Sequence, residues 1–383
     1  MCSSDLATIV DEMFRSGPVE VGLSGNSRVA LDIAVQPLTT AAGRTLPLES
    51  GDVLAVSGGA RGVTADAALA MARASRCTLI LLGRSPLPPE EPEWARGLTA
   101  EAEIKKALFA RQAGGTPSAV EAAYRQLMAQ REIRAQLARL EAVGARAEYS
   151  CVDVRDRAAL ERVLTDVRRR HGAIRGLVHG AGVLADRRIE DKTLDQFDSV
   201  YGTKVEGLQN LLQATAKDAL KVIALFSSYT GRFGRIGQVD YAAANEVLNK
   251  IAQQQSRRRP DCRVVSVNWG PWNGGMVTPG LRKVFEQEGV GLIEPLAGAG
   301  FLVDELRFGA QGDVEVLALG PTPHRLDPPK RRVLTPAFHN VAFEREVSVK
   351  ALPCLESHVF NGRAVLPAAL MVDRKSTRLN SSH

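Results

Sequence analysis

Short apolar runs alternate with helix-like stretches through the middle of the chain. DVLAVS is followed by a glycine-rich turn and then by the alanine-rich stretch GVTADAALAMARA, which reads as a helix. CTLILLGRS is a second strand, and CVDV, LVHGAG, a run closing on LFSS, and VVSVNWG mark the ends of later ones. Continuous apolar runs of roughly four to eight residues are what strands buried on both faces look like. The pattern predicts an α/β fold, a doubly wound parallel sheet with helices on both faces.

One interval breaks this rhythm. Residues 86–144, between the second and third strands, exceed what a crossover between parallel strands requires. The interval opens Pro-rich (SPLPPEEPEW) and turns helical in EAEIKKALFARQ, breaks at GGTP, and resumes in PSAVEAAYRQLMAQREIRAQLARLEAVG. There Ala119, Ala123 and Leu127, then Ile133, Leu137 and Leu140, recur at helical spacing. The segment predicts a helical insertion that either covers its own sheet edge, the commoner use, or docks a partner. Ahead of Gly51, SRVALDIAVQPL alternates like a strand and leads into a polar, glycine-bearing joint.

The first strand, turn and helix stand in the order that a dinucleotide pyrophosphate needs. Gly58, Gly59 and Gly62 permit a tight turn around Ala60 and Arg61, and the helix opening near Val63 offers unpaired N–H groups and a positive dipole end. This makes the sheet Rossmann-type. The second strand ends in Arg84 and Ser85 where NAD sites place a carboxylate for the ribose hydroxyls. A cation there accommodates a 2′-phosphate, so NADPH is the expected cofactor, with Arg61 as a second contact.

The reacting groups lie in FSSYTGRFGRIGQVDYAAANEVLNK. Ser228 and Tyr241 stand thirteen positions apart and Asn245 follows the tyrosine by four. A strand ending at Ser228 presents its hydroxyl at the carboxyl edge of the sheet, while a helix keeps Tyr241 and Asn245 on one face. A ketone that receives hydride develops alkoxide charge, which calls for a fixed donor and an acid. Serine supplies the first and tyrosine the second. A phenol of ordinary pKa about 10 needs a nearby cation to act near neutrality, and the sequence offers Lys204, 24 positions before Ser228.

On these residues the chain resembles the short-chain dehydrogenase/reductase superfamily, and within it the ketoreductase domains of type I polyketide and polyunsaturated fatty acid synthases. The superfamily at large has lysine four positions after the tyrosine; this chain has Asn245 there and Lys204 on an earlier helix, the synthase arrangement. The resemblance covers about residues 51–320 and implies that Ser228 and Tyr241 contact the ketone, Lys204 lowers the tyrosine pKa and Asn245 holds a relay water. It also implies adenine contacts at Asp153 and Val154, ribose contacts at Gly180, Ala181 and Gly182, and nicotinamide contacts at Gly270, Pro271 and Trp272. Gly274 and Gly275 would suit a mobile lid. In the glycine turn the family commonly ends on glycine, whereas this chain has Thr64, so the packing there must admit a β-branched side chain. The helical insertion is closer to the polyunsaturated fatty acid synthase type than to modular polyketide assembly lines.

The same resemblance bears on stereochemistry and partners. Ketoreductases giving the D alcohol often carry Leu-Asp-Asp after the HGAG-like turn; here Leu184, Ala185 and Asp186 keep the final aspartate. Those giving the L alcohol often have tryptophan eight positions before the tyrosine, where this chain has Phe233. With Met276 beside the substrate, a D (3R) product is expected. The implied reaction is NADPH-dependent reduction of a β-ketoacyl group held on the phosphopantetheine of an acyl carrier protein, among other domains of one synthase. The alternatives are a free-standing ketone reductase and an idle NADPH- or carrier-binding scaffold, which Tyr241→Phe separates from an enzyme.

Past about residue 321, LPCLESHVFNGRAVLPAALM sets His358, Gly362 and Pro367 in an HxxxGxxxxP spacing that resembles the opening of a hotdog-fold dehydratase. Its partner acid is missing from the chain, so no dehydratase activity is expected. Residues 7–50 read as the remnant of a structural ketoreductase half with its linker, and 321–372 as linker and truncated dehydratase. Residues 1–6 and 373–383 read as translated sequencing adapter, which makes the chain a fragment of a longer reading frame.

Composition narrows the remaining classes. A net charge of +6 invites a nucleic-acid reading, but the arginines are dispersed or lie in short runs without interleaved aromatics. A basic face could instead meet an acidic carrier, which charge reversal without loss of activity on carrier-bound substrate would disprove. The five cysteines form no CxxC and the six histidines no HExxH-type cluster, so neither metal nor disulfide is expected. No run of about twenty apolar residues and no signal peptide is present, and a cytoplasmic location is the reading.

Overall fold

The computed structural model describes residues 3–15, 21–24, 27–35, 38, 44–111, 115–277, 279–310, 312–321, 359–360 and 363–364. The chain divides into two compact units, Met1–Val35 with Asp327–His383, and Gln36–Leu326. In the first, helix α1 (Ser3–Met13) precedes an antiparallel hairpin of β1 (Val21–Ser24) and β2 (Ser27–Ala30). Arg28 grips Glu12 with two bonds of 2.7 and 2.6 Å, which ties helix to hairpin.

The second unit is the α/β domain. Seven strands run in parallel: β3 (Val53–Ser57), β4 (Thr78–Gly83), β5 (Ala147–Cys151), β6 (Ile174–His179), β7 (Val222–Ser228), β8 (Arg263–Trp269) and β9 (Glu315–Ala318). Their order is β5-β4-β3-β6-β7-β8-β9, and the sheet is the doubly wound parallel one that the apolar runs predict. The chain winds outward one way through β4 and β5 and the other way from β6. The crevice for a ligand therefore opens at the carboxyl ends of β3 and β6, where the direction switches.

Both faces of the sheet are covered. Leu54 and Val56 of β3 point into a core with α2 (Gly62–Ser75), α4 (Pro117–Ala142) and α10 (Pro295–Phe308). Val53 and Ala55 alternate to the other face, against α5 (Arg157–His171), α7 (Gly207–Ala214) and α9 (Val239–Arg258). Leu46 and Leu48, ahead of Gly51, are buried in the first of these cores.

The long interval between β4 and β5 does two jobs. The end of α4 carries Ile133 and Leu140 onto the sheet and serves as the ordinary crossover helix. Its beginning joins α3 (Glu101–Arg111) in a separate small core of Ala95, Ile104, Leu108, Val120 and Leu127. Thr116 caps α4 and Pro117 occupies its first turn, where a missing N–H costs nothing. The Pro-rich stretch has no strand partner, and α4 supplies its bonds: Gln130 donates to the Pro86 carbonyl, Arg134 to that of Pro88, and Arg131 to those of Ala95 and Leu98.

In the first unit, a short antiparallel pair, β10 (Val359–Phe360) with β11 (Arg363–Ala364), closes the described residues. His358, Gly362 and Pro367 lie outside them. Among the described residues no helix is long and apolar enough to cross a membrane, and no group of His, Cys, Asp or Glu could hold a metal ion.

Candidate active site

A cleft of 860 Å³ runs across the carboxyl ends of β3, β4, β6 and β7 and gathers most of the sequence-predicted residues. At one end is the glycine turn. Gly58 has φ +75°, and a Cβ there would lie 2.9 Å from the Ala181 nitrogen, so the turn and the end of β6 approach as closely as backbone allows. A Cβ at Gly59 would overlap Val56. The N-cap of α2, Arg61, makes no side-chain capping bond, so the first N–H groups of the helix are left to face a ligand. These features fit a dinucleotide pyrophosphate.

Of the groups expected around the ribose and adenine, all but Asp153 line the cleft beside it. Arg84 is exposed and Ser85 half-buried on the cleft wall past β4. Arg61 is paired with Glu132 of α4 at 2.6 Å, so a phosphate would have to compete for it. The Asp153 carboxylate is engaged by Arg155 at 2.8 Å and its carbonyl by the Asp156 N–H at 2.9 Å, and the residue stands outside the cleft lining. Val154 is buried, lines the cleft and packs against α7, where a Cβ at Gly207 would meet it at 2.6 Å. Gly180, Ala181, Gly182, Pro271, Gly274, Gly275 and Met276 also line the cleft. Gly275, at φ +62°, lies over the start of α2: a Cβ there would come 3.0 Å from Val63.

The reacting groups meet at the other end. Ser228 closes β7 and caps α8 (Tyr229–Phe233), accepting from the Thr230 N–H at 3.3 Å and from its hydroxyl at 3.0 Å. Lys204 sits on a π-helical turn, Gly202–Glu206, inserted between α6 (Leu194–Tyr201) and α7. The wide turn carries the lysine into the protein, where Nζ donates to the Phe226 carbonyl at 2.8 Å and lies 5.3 Å from the centre of the Tyr241 ring. Burial brings the Lys204 pKa down to about 7. Burial likewise raises the Tyr241 phenol, and hydrogen bonding with Asn245 and Ser228 pulls part of the way back. The phenol is thus held in its proton-donating form, raised rather than lowered as the resemblance implied, because burial outweighs its hydrogen bonds and Lys204 is not among the groups that shift it. Asn245 is fully buried; its Nδ2 donates to the Tyr241 carbonyl at 2.7 Å, and its Oδ1 has no partner. A buried amide oxygen left open is what a bound water would satisfy.

Sequence reasoning missed the support behind Lys204. His179 ends β6, wholly buried, with Nε2 2.9 Å from the Lys204 carbonyl and Nδ1 2.7 Å from Ser57 Oγ. A carbonyl only accepts, so Nε2 carries the proton and the Ser57 hydroxyl donates to Nδ1. Burial, then the Lys204 charge, lowers the His179 pKa to about 3, and the ring stays neutral. The signal was in the apolar run LVHGAG: a histidine ending a fully buried strand needs two partners.

At the entrance, Asp186 accepts from Gln238 Nε2 at 2.9 Å, and the Arg187 N–H bonds the Gly237 carbonyl at 3.0 Å. Gln238, three positions before Tyr241, was also missed. Phe233, at the end of α8, is 53% exposed and stands apart from the cleft lining.

The KR domain family model matches residues 53–274. The chain belongs to that family. It is a ketoreductase domain of the polyketide and polyunsaturated fatty acid synthase type, and so an oxidoreductase with a nicotinamide-binding fold. It is 37% identical over 369 residues to a polyunsaturated fatty acid synthase polypeptide of Thraustochytrium sp., covering 92% of this chain and 12% of that protein. It is 34% identical over 148 residues to the polyketide synthase PksN of Bacillus subtilis, covering 37% of this chain and 3% of that protein. The structure of A-type ketoreductases from a modular polyketide synthase aligns with a TM-score of 0.60 at 25% identity, covering 78% of this chain and 54% of that one. The chain thus spans a small part of the curated relatives it matches, both of them synthases.

Proposed function

We propose that this ketoreductase domain reduces a β-ketoacyl thioester, carried on the phosphopantetheine of an acyl carrier protein within a multidomain synthase, to the D (3R) β-hydroxyacyl thioester with NADPH. The observation that carries the reading is the convergence of Ser228, Tyr241, Lys204 and Asn245 at the end of a cleft whose other end fits a dinucleotide. Arg84 at the close of β4, in place of a carboxylate, supports NADPH over NADH. Asp186 at the entrance, and Phe233 where tryptophan would stand, support the D product. Met276 on the opposite wall would bound the acyl group.

Residues at the glycine-turn end of the cleft would hold a nicotinamide dinucleotide, which when bound would supply the hydride for the carbonyl carbon. Ser228 holds the carbonyl oxygen by a hydrogen bond that strengthens as negative charge grows there. The O–H bond of Tyr241 breaks as its proton passes to that oxygen, completing the alcohol. The Tyr241 oxygen regains a proton through a water seated on Asn245 Oδ1, with Lys204, whose pKa lies near neutrality, as the reservoir. His179 and Ser57 keep the Lys204 turn in register for this exchange.

The test is NADPH oxidation by the chain with an acetoacetyl thioester, alongside Tyr241→Phe and chiral analysis of the product. Turnover that Tyr241→Phe abolishes, giving the 3R alcohol, is the expected result. An L product would overturn the stereochemical part. Bound NADPH without turnover on either free or carrier-bound thioester would leave a scaffold. A cytoplasmic setting follows from the same reading, since NADPH and carrier-bound intermediates are made there.

A further inference from the structure

A buried ion pair lies against the catalytic helix and has no part in the chemistry described so far. The side chains of Lys192 and Asp240 are 4% and 1% exposed, with Nζ and Oδ2 2.7 Å apart. Nζ also donates to the Ala185 carbonyl at 2.7 Å, so a single ammonium grips the entrance loop and the first turn of α9 together. The second carboxylate oxygen, Oδ1, accepts from the Tyr241 N–H at 2.9 Å. Both partners therefore spend their bonds on backbone of functional segments: Ala185, next to Asp186, and Tyr241 itself.

Two other bonds cross the same seam, Gln238 to Asp186 and Arg187 to Gly237, and both involve exposed residues of the loop. The Lys192 tie is the one withdrawn from water. Taking two charges out of water is costly, and apolar residues of like volume often serve stability as well. What an apolar pair cannot supply is direction. Lys192 follows a single 3₁₀ turn, Ile189–Asp191, and precedes the Thr193 cap of α6, so its backbone is anchored while its side chain reaches across.

We propose that Lys192 and Asp240 are positioning residues, whose pair sets the Leu184–Asp186 loop against the Tyr241 turn and so decides which face of the ketone is offered to the cofactor. The inference rests on the reductase reading for its stereochemical readout, and amide exchange tests it without that reading. The variants are Lys192→Met, Asp240→Asn and the double change. The measurements are kcat, KM for NADPH, the enantiomer ratio from an acetoacetyl thioester, and hydrogen exchange of residues 183–191.

The expected result is kcat down about tenfold to a hundredfold with KM for NADPH within about twofold, since misplacement acts on the transition state. The share of the minor enantiomer rises several-fold and exchange quickens in 183–191 alone. The double variant is no worse than the worse single one, because the two residues act as a unit. An unchanged enantiomer ratio in variants that turn over overturns the proposal, whatever exchange shows. If the unaltered protein reduces no thioester, the reductase reading fails and exchange alone decides: acceleration confined to 183–191 supports the positioning role, and uniform or absent acceleration overturns it. Should Lys192→Met fail to fold, Asp240→Asn, which keeps the shape and leaves one oxygen for the Tyr241 N–H while losing the acceptor for Lys192 Nζ, gives the same readouts; failure of both to fold makes the pair a folding element and sinks the proposal.

Discussion

Thr64 occupies the space that any side chain at position 180 would need: a Cβ on Gly180 would lie 2.5 Å from Thr64 Cγ2, with Oγ1 closer still. The first turn of α2 and the end of β6 thus meet through one β-branched residue and one absent side chain. Where the resembled family commonly has glycine, Thr64 is accommodated because position 180 carries no side chain. The pair holds the glycine turn at its distance from Ala181, and both lie on the cofactor end of the cleft.

Gly180→Ala should therefore weaken both fold and cofactor site. Overpacking of this kind costs about 1–3 kcal/mol, and the displaced helix start should raise the NADPH dissociation constant. Thr64→Gly in the same chain removes the clash and should recover most of the binding. Thermal melts and NADPH fluorescence titration of the two variants check this, and an additive double variant would count against the pairing.

Tyr241→Phe should lower kcat by about 10²–10⁴ as the acid is lost. Ser228→Ala should cost about 10²–10³ by removing the oxyanion donor. Neither residue is expected to change the NADPH dissociation constant appreciably. Steady-state kinetics with a β-ketoacyl thioester, together with cofactor titration, separate these effects from general damage.

How much of this was legible in the chain depends on the range of the interactions. The doubly wound parallel sheet and the glycine turn followed from apolar runs ending in glycine, serine and arginine, because strand ends and turn glycines are local signals; the strand order and the last strand, Glu315–Ala318, were not read from the sequence. Tyr241 and Asn245 sit four apart on one helix and were equally plain. His179 and Ser57 were not, since their partnership joins positions 122 apart in sequence. The π-helical turn that delivers Lys204 has no sequence period of its own, so the lysine was found by resemblance. The interval 86–144 looked like one insertion because helical spacing runs through all of α4, although its two halves pack in different cores.

Cofactor preference should turn on Arg84. Arg84→Ala removes the cation at the end of β4, and a charge-assisted hydrogen bond is worth about 1.5–3 kcal/mol, or roughly tenfold to a hundredfold in affinity. The ratio of kcat/KM for NADPH over NADH should fall by that order. Glu132→Gln should shift the ratio the other way by releasing Arg61 from its 2.6 Å ion pair. An unmoved ratio in both would place the 2′-phosphate elsewhere.

Lys204 links activity to stability in opposite senses. Its pKa in the folded protein is about 7, against an ordinary 10.5, because the ammonium is buried. Between those two values the unfolded chain binds the proton that the folded one has lost, so folding stability rises with pH across that window. Below about pH 7 both states are protonated and the burial cost is felt in full. Lys204→Met deletes that cost, so the variant should melt higher than the unaltered protein at about pH 6, with the advantage shrinking by about pH 9. Its turnover should move the other way. With Lys204 as the proton reservoir, kcat of the unaltered protein should decline as pH rises past about 7, and Lys204→Met should be slow and flat across the same range. Paired melting and kcat profiles against pH test both limbs; a stability gain that does not shrink with rising pH would mean that the lysine is not held as a buried cation.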